Sequence, residues 1–317
     1  MSGSENPEDL LGTDIAARQL SGDCMREPSG RWQCTRLARP NLFGPPAMRP
    51  KSPDLGNVGY LDGYDESPWV VSVSAGWVVC ALLRGAVYCS GMNDSGALGA
   101  PTQDVFVDGM IQLAMSKTPV LVPGTKGAIQ LVAVGDGACA LIQPGGTVRC
   151  WGNESQSGPW KGGPCASTTG EITGNKSNCI PKGPHVPSGL PRVKYLASAG
   201  DNSKLAAAVG ITGSVYFWKE GETHLKPTKI AGVSDATVVS IGSQLCTGNS
   251  KDVMCLSIDS PPPAAADKTE ESLGQPTDYG YLGDVTELVS VYPGPCVKKK
   301  DQSVWCPQIG KPSFVPL

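Results

Sequence analysis

The chain has 317 residues, a formal net charge of −3 and a sequence pI near 5.5, with 40 glycines, 28 prolines and only 6% aromatic residues. That charge excludes a global basic field that would gather nucleic acid or an acidic membrane surface. No apolar run reaches the length of about 18 residues that a helical membrane span needs, and glycine and proline at this level favour short strands and turns over long helices.

The first twelve residues, MSGSENPEDLLG, are acidic and carry no hydrophobic signal region. A strand-like segment, 15–22, then leads into Cys24 to Cys34, which folds back on Pro28-Ser29-Gly30 with the two cysteines opposite each other. The same ribbon recurs. Cys80 to Cys89 closes on the two-residue Arg84-Gly85 turn, a length that favours a tight hairpin. Cys139 to Cys150 closes on Gln143-Pro144-Gly145-Gly146, which sets Ala140 opposite Arg149, Leu141 opposite Val148 and Ile142 opposite Thr147. Leu141 and Val148 then share one apolar face. A copy without cysteines spans 206–217 and continues into Trp218; its spacing puts Ala206 and Phe217 in the cysteine places. Cys246 to Cys255 closes on Ser250-Lys251, and Cys296 to Cys306 on Lys300-Asp301-Gln302. Directly opposed residues at a non-hydrogen-bonded pair are close enough for a disulfide.

Ten of the twelve cysteines are thus used in five hairpin pairs, and Cys165 and Cys179 remain together in one polar insertion. This even sorting predicts six structural disulfides and an oxidising compartment: secreted, periplasmic or at a cell surface, with the export signal removed from the sequence. Zinc fits poorly, since the spacings lack CxxC and only His185 and His224 are present. No metal and no cofactor are expected.

Each hairpin follows a β-branched, largely alternating segment (70–76, 129–135, 193–200, 236–242 and 288–294 after the first), which reads as a half-buried strand. Proline-containing stretches at 118–122 and 226–230 supply a fourth, outer strand. A four-strand unit recurring every 40 to 67 residues is the signature of a β-propeller, because one such unit cannot bury both its faces. The reading is a single all-β domain over 1–317, of about six four-stranded blades with seven as the alternative. The strand-like tail 311–317 is expected to complete the first blade, so that the two termini close the ring. Insertions fall at 39–68, 152–192 and 259–284, of which 259–276 reads as a solvated linker.

The stretches VSAGWVVCALLRGAVYCSGMNDSGALG (73–99) and LVAVGDGACALIQPGGTVRCWGN (131–153) resemble repeats of the regulator-of-chromosome-condensation family. The family pattern runs from a strand ending Ala-Ala-Gly through a His-or-Cys-Ala-Leu strand and a Val-x-Cys-Trp-Gly strand to Asn-x-x-Gly-x-Leu-Gly. The copies at 193–218, 236–255 and 288–306 match in outline. The resemblance implies a propeller, in that family usually of seven blades.

The small turn before each hairpin and the long loop after it are expected on one end of the propeller. That end would present Trp77, Asp136, Asp201 and Asn202 from the turns, and Asn93, Asp94, Asn153 and Trp160 from the loops. Loops on a rigid frame are a common layout for binding. Trp77 is the expected anchor for a protein partner, while Trp151 and Trp218 are expected to pack between blades. Tyr60, Tyr64, Tyr279 and Tyr281, in the echoed GYLDGY and DYGY segments, either stack on sugar rings or pack their own loops. Asp62, Asp65 and Glu66 do not meet the calcium-loop spacing. Glycan attachment at the sequons Asn93, Asn153 and Asn175 depends on the source. No Gly-x-Ser-x-Gly, P-loop or His-Glu-x-x-His occurs. The function read from the sequence is therefore a secreted, non-enzymatic binding protein with a protein partner. A lectin-like glycan binder and a hydrolase or lyase on a propeller scaffold are the alternatives.

Overall fold

The computed structural model describes residues 19–21, 24–26, 32–35, 58–61, 69–73, 78–93, 96–100, 104–108, 111–152, 183–199, 204–220, 225–242, 244–257, 270–271, 277–281, 285–290, 295–301, 303–307 and 314–316. These residues contain strands, bridges and turns and no helix. They form six sheets. The first pairs Gln19–Ser21, Cys24–Arg26, Trp32–Thr35 and Val58–Leu61 in chain order. The second pairs Trp69–Val73, Val78–Leu83, Ala86–Met92 and Ile111–Leu121, with Asp104–Asp108 added outside. The third consists of Ala128–Val134, Gly137–Ile142 and Thr147–Gly152, to whose outer edge His185 adds a single bridge at Cys150.

The fourth sheet pairs Val193–Ser198, Leu205–Gly210, Val215–Lys219 and Leu225–Ile230, and the two-residue strand Glu270–Glu271 joins it in parallel. The fifth pairs Val238–Ile241, Gln244–Gly248, Asp252–Ser257 and Thr277–Tyr281. The sixth pairs Val285–Ser290, Pro295–Lys299, Val304–Pro307 and Phe314–Pro316.

The predicted hairpin register holds where cysteines mark it. Cys139 faces Cys150, with Ala140 on Arg149, Leu141 on Val148 and Ile142 on Thr147. Cys80 faces Cys89 across a turn in which Arg84 and Gly85 have φ of 52° and 73°, the primed geometry that matches strand twist. Cys246 faces Cys255, and the backbone of Cys24 faces that of Cys34. Disulfides join Cys80–Cys89, Cys139–Cys150, Cys246–Cys255 and Cys296–Cys306, with Cα–Cα distances of 4.1, 4.1, 4.0 and 4.2 Å. Cys165 and Cys179 lie outside the described residues.

Three expectations are corrected. In the copy without cysteines, Ala206 faces Trp218, and Ala207 faces Phe217. The strand slips by one because this hairpin closes on a shorter turn, in which the Gly210 N–H donates to Ser214 O at 2.7 Å. Gly213 there has φ of 90° and leaves no room for a Cβ, which would meet Ser234 O at 2.5 Å. Secondly, the tail does not complete the first sheet. Phe314–Pro316 pairs with Val304–Pro307 of its own sheet, and the outer edge of Trp32–Thr35 is already filled by Val58–Leu61. Pairing across a short connection costs less loop-closure entropy than reaching the far end of the chain. Thirdly, Val58–Leu61 and Thr277–Tyr281, expected within insertions, are the outer strands of the first and fifth sheets.

The core lies between consecutive sheets. Val78, Cys80, Leu82, Val87 and Cys89 of the second sheet pack on Leu131, Ala133, Ala138, Ala140 and Trp151 of the third. The opposite face of the third sheet, with Val132, Cys139, Leu141, Val148 and Cys150, meets Leu196, Ala206, Ala208 and Trp218 of the fourth. Ala207, Val209, Val215 and Phe217 then meet Val239, Ile241 and Leu245 of the fifth, and Val238, Cys246, Val253 and Cys255 meet Leu288 and Val297 of the sixth. The third, fourth and fifth sheets are therefore apolar on both faces, as blades stacked side by side must be. Trp151 and Trp218, 2% and 1% exposed, fill the joints as expected.

Candidate binding face

The two ends of the sheets are built differently. At the hairpin-tip end, backbone joints tie the second sheet to the third, the third to the fourth and the fourth to the fifth. Gly85 O accepts from the Gly127 and Ala128 N–H groups at 2.7 and 3.1 Å, Gly146 O accepts from Val193 N–H at 2.8 Å, and Gly213 O accepts from Ala236 N–H at 3.0 Å. In each case the donor stands at or just before the first strand of the next sheet. Arg192 adds a clamp, its Nε donating to Gly145 O at 2.7 Å and its Nη2 to Pro144 O at 3.2 Å. Gln130 does the same job between the third and fourth sheets, where its Oε1 accepts from Leu196 N–H at 2.9 Å.

At the other end, the turn between the first two strands lies beside the point where the third strand leaves its sheet. The register shows this directly: Gly137 faces Gly152, Val78 faces Gly91, Leu205 faces Lys219 and Gln244 faces Ser257. A Cβ on Gly152 would stand 2.5 Å from Asp136 O. The chain leaves the described third strands at this end, among them Thr147–Gly152 and Asp252–Ser257, which lead into the longer connections. The Gly135-Asp136 turn and the described end of the third strand at Gly152 thus share one end.

Of the residues expected to present there, Asp136 is half-buried in the turn Gly135-Asp136. Asn93 is not presented at all. It is fully buried, its Oδ1 accepts from Leu98 N–H at 3.0 Å and its Nδ2 donates to Ala100 O at 3.0 Å. These bonds fold 96–100 into a compact turn against the third sheet, where Ala97 O accepts from Trp151 Nε1 at 3.0 Å. The Asn-x-x-Gly-x-Leu-Gly stretch is therefore a joint between sheets, because a buried amide must spend its hydrogen bonds internally. Trp77, Asp94, Asn153, Trp160, Asp201, Asn202 and Tyr64 lie outside the described residues. Tyr60, Tyr279 and Tyr281 stand on outer strands: Tyr60 opposite Gln33, and Tyr281 opposite Asp252.

Sequence reasoning missed a polar cluster between the third and fourth sheets. Glu220 is 3% exposed. Its Oε1 accepts from Trp218 Nε1 at 2.6 Å, and its Oε2 lies 3.0 Å from His185 Nε2. The available signal was positional: Glu220 follows Trp218 by two residues, where Asn153 follows Trp151. Glu220 and the sulfurs of Cys139 and Cys150 are the described atoms that come together as metal ligands do. In the oxidised protein the sulfurs are joined and are not thiolates.

Three groups titrate away from their ordinary values. Burial, with the Glu287 carboxylate adding to it, pushes the Tyr195 hydroxyl far up. Burial also raises the Glu287 carboxyl, against the pull of Lys298. At the tip of the sixth-sheet hairpin, Asp301 is exposed and is held low by hydrogen bonds from the Ser303 hydroxyl and N–H at 2.6 and 2.9 Å.

No family model and no curated protein sequence matches the chain. Its fold does have counterparts among solved structures. Prp20p of Saccharomyces cerevisiae, described together with its binding to Gsp1p and histones, superposes with a TM-score of 0.52 at 14% identity, over 87% of this chain and 73% of its own. The structure of Kap60 bound to yeast RCC1 (Prp20) gives 0.51 at 16% identity, over 93% and 70%. Human WBSCR16 gives 0.50 at 16% identity, over 87% and 70%. The chain has the fold of an RCC1-type β-propeller, in a variety stapled by disulfides.

Proposed function

We propose that this chain is an extracytoplasmic, non-enzymatic binding propeller that takes a protein partner at the end where its turns and long loops meet. The observation that carries this reading is the asymmetry of the two ends. One end is spent on joints at Gly85, Gly146 and Gly213, whereas at the other the chain leaves the third strands, at Gly152 and Ser257 among others, into its longer connections. Four described disulfides support an oxidising compartment. Prp20p is described as binding Gsp1p and histones, and a fold used in that way is compatible with a protein partner here.

The glycan reading is weaker than the sequence made it, because Tyr60 stands in the first sheet and Tyr279 and Tyr281 in the fifth, on outer strands. Trp77 is the proposed anchor, with Asp94, Asp136, Asn153, Asp201 and Asn202 proposed as its polar rim and Trp160 as a further aromatic contact. The test is capture from native extracellular fluid on immobilised protein, with a glycan array run on the same sample. Trp77→Ala should weaken binding of the captured partner about tenfold or more, with the melting temperature unchanged. Substitutions at the opposite tip, such as Lys300→Ala, should leave binding intact. Loss of binding at the tip and none at Trp77 would place the interface on the other end. Capture of glycans alone would favour the lectin reading.

A further inference from the structure

The Cys139–Cys150 disulfide has a neighbour that sets it apart. Both sulfurs and a carboxylate oxygen of Glu220 lie within 4.8 Å of one another, and all three residues are buried. Among the described residues, this is the group that converges in that way. His185 stands next to it. Its backbone N–H donates to Cys150 O at 2.8 Å and its O accepts from Cys150 N–H at 2.9 Å, while its Nε2 lies 3.0 Å from Glu220 Oε2. The His185 side chain is 45% exposed, so it links the buried group to solvent. Two sulfurs and a carboxylate therefore meet, and an imidazole bonded to that carboxylate stands beside the group. They are the ligand types that zinc takes in four-coordinate sites.

We propose that reduction of the Cys139–Cys150 disulfide uncovers a zinc site whose ligands are the two thiolates, Glu220 and His185. In the reduction, the S–S bond breaks and takes up two electrons and two protons from a dithiol, which leaves as its own disulfide. Zinc then displaces the two thiol protons to solvent. The distances are near what the ion needs: oxygen and nitrogen ligands each about 2.0–2.2 Å from a tetrahedral zinc stand about 3.3–3.6 Å apart, so Glu220 and His185, now 3.0 Å apart, need to part only slightly. The Trp218 indole holds the second carboxylate oxygen at 2.6 Å, the kind of outer partner that orients a metal ligand. His185, whose backbone already clips it to the sheet edge, needs only a side-chain movement to complete the set. The switch would exchange a link within the third sheet for a link between the third and fourth sheets.

The plain alternative is that Glu220 serves only as an acceptor for Trp218 and His185. The full chain, reduced under native conditions with a phosphine (which takes its oxygen from water and competes little for metal), separates the two. Cobalt(II), as a spectroscopic substitute for zinc, should give sulfur-to-metal charge-transfer and tetrahedral ligand-field absorption. Zinc added before iodoacetamide should slow alkylation of Cys139 and Cys150 about tenfold or more and leave Cys246 and Cys255 unprotected. Glu220→Gln keeps an acceptor for Trp218, and His185→Ala leaves the disulfide untouched. Each should lower the affinity of the reduced protein about tenfold or more while the oxidised protein melts normally. Equal protection of both cysteine pairs would mean chelation by an unfolded chain and would overturn the site. So would no protection, or unchanged affinity in Glu220→Gln.

Discussion

Trp151 and Gly99 together test whether the joint between the second and third sheets is packed as described. Trp151 is 2% exposed, and its indole N–H donates to Ala97 O at 3.0 Å. Trp151→Ala removes a buried aromatic, which costs about 3–5 kcal/mol in typical cores, and leaves Ala97 O without that donor, about 1 kcal/mol more. Gly99 has φ of 61°, and a Cβ there would stand 2.7 Å from Trp151 Cγ and Cδ1 and 2.9 Å from Val122 Cγ1. Gly99→Ala therefore carries a backbone cost of about 1–2 kcal/mol and an overpacking cost of about 1–3 kcal/mol. Only the second depends on the indole. In the double variant the clash with the ring disappears, so the two costs should fall short of their sum by about 1–2 kcal/mol. Urea unfolding, read as midpoint and slope for the wild type, both single variants and the double, measures this coupling. A Trp151→Ala cost below about 1 kcal/mol, or strict additivity, would refute the packing and with it the role assigned to the Asn93 loop.

Non-reducing peptide mapping should find Cys24 linked to Cys34 and Cys165 linked to Cys179, besides the four described disulfides; a bridge between two different hairpins would overturn the repeat. Deleting residues 314–317 should lower the melting temperature by removing the outer strand of the sixth sheet, and unchanged melting would mean that Phe314–Pro316 contributes nothing to that edge. Burial raises the folded-state pKa of Glu287 above its ordinary 4.5, so its contribution to stability is full below the unfolded value and is lost as pH rises through the folded one. Glu287→Gln should accordingly raise the melting temperature at neutral pH, leave it unchanged well below pH 4.5, and flatten the profile between. A variant less stable than wild type at neutral pH would show instead that the charge is used, for example by Lys298.

The strands and hairpins were legible in the sequence because cysteine spacing fixes register. A disulfide across a ribbon needs opposed residues, and a one-residue slip would send the pair to opposite faces. Where cysteines were absent the register was lost: Ala206 was placed opposite Phe217 by spacing alone, and the shorter turn at Gly213 moved it by one. Trp218 carried the better signal, since it faces Ala206 as Trp151 faces Ala138. The outer strands were harder to see. Val58–Leu61 and Thr277–Tyr281 follow proline-rich stretches, and an edge strand needs only one good ladder, so its pattern is weak. Asn93 was misassigned because a polar residue in a loop reads as exposed, and only the hydrogen bonds to Leu98 and Ala100 show that it faces inward. Glu220 was invisible for the same reason in reverse. A charged residue after a strand reads as solvated until the partners that bury it are known.

Aligning the fourth sheet on its tryptophan clarifies what the cysteine place does. With Trp218 equivalent to Trp151 and Ala206 to Ala138, the places of Cys139 and Cys150 fall to Ala207 and Phe217. Each of these pairs lies on the face turned toward the next sheet: Cys80 and Cys89 toward the third, Cys139 and Cys150 toward the fourth, Ala207 and Phe217 toward the fifth, Cys246 and Cys255 toward the sixth. The place must therefore do two things, fill the joint and hold the hairpin. A disulfide does both, and closing a loop of nine to eleven residues contributes about 2.5–3 kcal/mol through the unfolded chain. A small residue opposite a phenylalanine does only the first. The fourth sheet meets the second requirement differently. Leu225–Ile230 and the parallel Glu270–Glu271 extend its ladder to five strands, and the Ile211 N–H donates to Arg192 O at 3.0 Å beside its tip. The third sheet is the reverse case, with three strands, a single bridge at His185 and a disulfide at its centre. The fourth sheet's long ladder does without the cysteines, although the equally long second sheet keeps Cys80–Cys89, and in the short third sheet the disulfide carries the hairpin. Reduction should accordingly loosen the third sheet before it disturbs the fourth.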